Sequence, residues 1–103
     1  MPAFHVEVPH SLGQEGARQR LDRFIDEARQ RLSDRVSHME GQWQENTLDF
    51  SLTTFGMKLT GKLIVEADRV RVEGQLPFAA VAFRGQIEQT FRSELRQALG
   101  AGN

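Results

Sequence analysis

Three histidines and their acidic neighbours are the residues of this chain whose types and spacing come nearest to chemistry. His5 with Glu7, and His38 with Glu40, are His-x-Glu pairs. Residues two apart on a strand point to the same face, so two such pairs would offer four donors to a metal if their strands were neighbours. The simpler reading is two solvated faces of mixed charge, and no metal site is expected. His10 precedes a helix-start signal and has no nucleophile near it in sequence, so it is expected to bond the helix start rather than to act as a general base.

The remaining chemistry-bearing residue types give less. The chain has no cysteine, which excludes disulfides, thiolate ligands and thiol nucleophiles and fits a reducing cytoplasm. Ser11, Ser33, Ser37, Ser51 and Ser93 fall in caps, turns, a strand and a helix, and none sits in a G-x-S-x-G elbow. The glycines are isolated rather than arranged as a phosphate-binding loop. Arg18, Arg20, Arg23, Arg29, Arg31 and Arg35 form the one basic concentration, but Asp22, Asp26, Glu27 and Asp34 are interleaved with them, as on a solvated helix face. The net charge of -1 adds no field that would draw in nucleic acid, and no nucleic-acid partner is expected. These residues point to a protein that is not an enzyme and carries no cofactor.

The elements that must position these residues follow from hydrophobic periodicity. With 103 residues, 39% of them hydrophobic and 26% charged, the chain has the size and balance of one folded domain. Its start, MPAFHVEVPH, lacks the basic-then-apolar pattern of a signal peptide, and no run approaches the length of a transmembrane segment. Phe4, Val6 and Val8 alternate with polar residues, which predicts a first strand closed by Pro9. Ser11 and Gln14 have the spacing of a capping box, and Ala17, Leu21, Phe24, Ile25, Ala28 and Leu32 make an apolar stripe, which predicts a helix from Leu12 to about Arg35. Period-two runs follow through Met39, Gly41 and Trp43, then Leu48, Phe50 and Leu52, then Met57, Leu59, Leu63 and Val65, then Val70, Val72 and Leu76. Turn signals separate them at Gln44 to Asn46, at Gly56 and at Ala67 to Asp68. Gly61 and Gly74 interrupt the inward faces and suggest curvature. Finally Ala80, Phe83, Ile87, Phe91, Leu95 and Ala98 recur at helical spacing, with Pro77 suited to the first helical position and Gly100 to the end, before a frayed tail at Ala101 to Asn103. The expected fold is α+β, in the order β-α-β-β-β-β-α: a curved, mostly antiparallel five-stranded sheet with two helices packed on one face, the last one central.

The stretch HSLGQEGAR from His10 to Arg18, with Trp43, Leu48, Phe50, Gly56, Gly61, the LPF from Leu76 to Phe78, Ile87 and Leu95, resembles the bacterial family of polyhydroxyalkanoic acid system proteins over nearly the whole chain. The resemblance implies a cytoplasmic bacterial protein that acts near storage-polyester granules. It carries no catalytic residues across.

LPFAAVAF, from Leu76 to Phe83, holds eight residues without a charge. If the core stripe takes Ala80 and Phe83, then Phe78, Ala79 and Ala82 face the other side, with Leu76 and Val81 at the flanks. Two readings stand: a contact surface for a second copy or for a polyester granule, or a buried connector that is simply core. A rival function is a small helix-grip-like module that holds a hydrophobic ligand between the sheet and the last helix, with Trp43, Phe50, Met57 and Phe91 as the pocket lining.

Overall fold

A computed structural model describes residues 2–54 and 56–100. The expected tail at Ala101 to Asn103 lies outside the described residues. The elements run β1 (Ala3–Pro9), α1 (Gly13–Arg31), β2 (Val36–Gln44), β3 (Thr47–Thr54), β4 (Met57–Val65), β5 (Arg69–Gln75), a 3-10 helix (Phe78–Phe83) and α2 (Arg84–Leu99). All four strand pairings are antiparallel, in the spatial order β1-β5-β4-β3-β2, and the sheet is open. This is the α+β arrangement, and the element order, that the periodicity predicts.

One face of the sheet supplies the core. Phe4, Val6 and Val8 of β1, Leu48 of β3, Leu59, Leu63 and Val65 of β4 and Val70 and Val72 of β5 are buried with Ala17 and Leu21 of α1 and Leu95, Ala98 and Leu99 of α2. In register, Phe4, Gly74, Gly61 and Phe50 form a row across four strands. A Cβ at Gly74 would run into the Phe4 ring, and one at Gly61 would lie 2.6 Å from the Glu73 carbonyl oxygen. Only glycine lets β4 and β5 approach this closely, so the pair bends the sheet as expected. Phe91 of α2 stands over the row, its ring centroid 5.3 Å from that of Phe4 and 5.9 Å from that of Phe50. The aromatic packing seats α2 on the sheet.

Three local expectations are corrected. The capping box does not form: Ser11 makes no cap hydrogen bond, and the Gln14 side chain donates instead to the Val65 carbonyl at 2.9 Å. Helix α1 stops at Arg31 rather than Arg35, because the N–H groups of Arg35 and Val36 both turn back to the Leu32 carbonyl and steer the chain into β2. The last helix is broken in two. Pro77 is extended, with ψ at 155°, and caps a 3-10 helix rather than opening an α-helix; Ala80 N–H bonds the Pro77 carbonyl, and α2 begins only at Arg84.

Candidate functional site

The two His-x-Glu pairs form but stay apart. His5 Nε2 is 3.2 Å from Glu7 and His38 Nε2 is 3.3 Å from Glu40, on strands at opposite edges of the sheet. Among the described residues no three histidine or acidic side chains converge as a metal site would need. Glu7 also accepts from Arg69 Nη1 at 3.0 Å; hydrogen bonds from His5 first and Arg69 second hold its carboxyl below the ordinary carboxylate range. Both groups are solvated, and the pair belongs to a ladder of charges on the uncovered sheet face.

His10 is structural in its contacts. The Leu12 N–H donates to its Nδ1 at 3.2 Å, which leaves Nε2 to carry the proton and donate to the Glu66 carbonyl at 3.1 Å. Gly13, at φ 75°, then takes a backbone conformation open to glycine as α1 begins. Further along α1, the Arg18 guanidinium lies 4.3 Å over the Trp43 ring while its Nε donates to the Glu45 carbonyl, and the Trp43 Nε1 donates to Asp22. Residues of the HSLGQEGAR stretch thus fasten α1 to the β2–β3 and β4–β5 turns.

The four candidate pocket residues are not brought together under α2. Phe50 and Phe91 pack on each other beside Phe4. Trp43 sits beneath Arg18 at the fastened end, and Met57 opens β4 at the other. By register Trp43 and Met57 are three side-chain rows apart, roughly 20 Å at 3.3 Å per residue. An open hollow of about 630 Å³ does exist, but it lies along β2 and β3 beside Arg29 of α1, and Phe50 alone of the four lines it.

The apolar segment is exposed at the opposite end. Phe78 is 79% exposed, Phe83 51% and Val81 37%, with Ala79 and Ala82 also exposed. Leu76 does not belong with them. It is fully buried, its N–H held by the Pro2 carbonyl, because β5 carries it in on the inward face as the strand ends. Ala80 is the other anchor, also fully buried. Phe83, expected in the core, is instead half exposed at the junction into α2. An unbroken α-helix would turn it inward; the shift to three residues per turn ends that register.

A model of the family described as "Putative polyhydroxyalkanoic acid system protein" matches residues 4–99. No curated protein and no solved structure matches the chain.

Proposed function

Because the chain belongs to the family of polyhydroxyalkanoic acid system proteins, we propose that it is a non-catalytic accessory of storage-polyester metabolism that works in the cytoplasm and holds to the hydrophobic surface of the polyester granule. The contact is made by Phe78, Ala79, Val81, Ala82 and Phe83. The observation that carries this is a phenylalanine 79% exposed in a segment with no charge, held out from the fold between two fully buried anchors, Leu76 and Ala80. A polyester surface offers apolar area without a defined pocket, which suits a protruding patch better than a cleft. Covering the patch contributes about 2 to 4 kcal/mol before association entropy, so a single copy adheres reversibly. No helix among the described residues is long and apolar enough to cross a membrane.

A fluorescent fusion in polyester-accumulating cells tests this. Wild type is expected to ring the granules, and Phe78→Asp to spread through the cell at equal abundance. A diffuse wild type in granule-rich cells would overturn the proposal.

A further inference from the structure

The two edges of the sheet are finished differently. At β1 the outward N–H of His5 is taken by the Glu88 carboxylate of α2 at 2.9 Å, and Pro9, which has no N–H, ends the strand, so that edge offers fewer donors. β2 is nine residues long without a proline, and among the described residues β3 pairs with one side of it and nothing with the other. A two-residue turn, Glu45 and Asn46, links Gln44 to Thr47. In such a hairpin the flanking residues exchange both ladder bonds, and the alternation that follows turns the N–H and C=O of Met39, Gly41 and Trp43 outward. The 630 Å³ hollow runs along this same strand. Its walls come from both faces of the hairpin: Met39, Gly41 and Phe50 on the inner side, Glu40, Gln42 and Asp49 among those on the outer.

We propose that β2 is the interface through which two copies of this chain associate, antiparallel about a two-fold axis at Gly41, so that one sheet continues across both. This register is the one in which all three outward residues of each copy exchange main-chain hydrogen bonds: Gly41 with Gly41, and Met39 with Trp43 in each direction. At the axis the inner face over Gly41 is already covered within each copy by Leu48, whose Cδ1 would lie 3.0 Å from a Cβ there. On either side of it the half-buried Met39 and Trp43 of opposite copies face each other, a thioether beside an indole. On the outer face Glu40 meets Gln42 of the second copy and His38 meets Gln44, so no like charges oppose. Sliding the register two residues, to centre on Glu40, would set two carboxylates against each other. The Phe78 patch follows β5 at the far side of the sheet order and takes no part, so this interface stands or falls apart from granule adhesion.

Sedimentation equilibrium of the full chain across a concentration series is the test, with thermal midpoints recorded to separate changes in the monomer. Wild type is expected to show a monomer–dimer equilibrium. Gln42→Lys, which faces Glu40 twice, is expected to tighten it roughly tenfold, and Gln42→Glu to weaken it roughly tenfold. Because the chain has no cysteine, the double variant Glu40→Cys/Gln42→Cys supplies a second reading: these exposed positions face each other across the two copies as an unbonded antiparallel pair, the closer kind and within disulfide reach, so mild oxidation is expected to link the dimer covalently, and Thr90→Cys on α2 is not. A wild type that is monomeric at every concentration, a dimer indifferent to both Gln42 changes, or equal cross-linking of the double variant and Thr90→Cys would overturn the proposal.

Discussion

The two ends of this sheet are built from opposite kinds of contact. At the end where β1 finishes and α1 begins, His10, Gln14 and Arg18 each reach a backbone carbonyl in a turn or strand end of the sheet, and Trp43 is held between a cation and an acid. At the end where β5 finishes and α2 begins, the connecting segment is apolar, and Phe78, Val81 and Phe83 are exposed on it. One end spends its side chains on closing the fold; the other leaves them for something else. The difference teaches where adhesion to a granule can reside: side chains already committed to carbonyls and rings are poor candidates for it, and uncommitted apolar ones are good candidates.

The contrast breaks most visibly within the 3-10 helix itself. Ala80→Asp puts a carboxylate at a fully buried position with no partner and is expected to lower stability by about 3 kcal/mol or more, whereas Ala82→Asp, two residues on and exposed, is expected to change it by less than about 0.5 kcal/mol. Chemical denaturation of the two variants checks this. Similar losses in both would mean the segment is core throughout.

A smaller effect is expected at the fastened end. Arg18→Ala removes the stack on Trp43 and frees the Glu45 carbonyl, at an expected cost of about 1 to 2 kcal/mol, and His10→Ala about 1 kcal/mol. Neither should alter adhesion to polyester when measured below its melting temperature. If either abolished adhesion while the fold persisted, the division between the ends would fail.

The smallest effect concerns the charge ladder on the open face. Glu7 has its carboxyl held low in the folded chain, so its contribution to stability is full above the ordinary carboxylate range and is lost as pH falls through the folded-state value. Its exposure to solvent keeps that contribution slight and sensitive to salt. Acid titration of wild type against Glu7→Gln is expected to show a small difference that closes at low pH and in high salt.

Much of the fold was legible because alternation and helical stripes report directly which side chains face inward. The inward rows of β1, β3, β4 and β5, and the stripe of α1, fall where those periods place them. Strand order was not legible, since no local pattern records which strand lies beside which; the separation of His5 from His38 needed the structure. The fastening residues were only partly so. Ser11 and Gln14 match a capping signature, but His10 takes the bond and Gln14 reaches a strand more than fifty residues away. The exposed segment was legible as uncharged, yet its membership was not: Leu76 is carried inward by the alternation of β5, and Phe83 is turned outward because the chain leaves the α-helical period in the 3-10 helix.

Pelleting of the purified protein with polyhydroxyalkanoate particles, wild type beside Phe78→Asp and His10→Ala, measures the division between the ends most directly. Wild type and His10→Ala are expected to sediment with the particles to the same extent, and Phe78→Asp to remain largely in the supernatant while keeping the wild-type melting temperature. Equal pelleting of wild type and Phe78→Asp, or loss of binding in His10→Ala alone, would contradict the account.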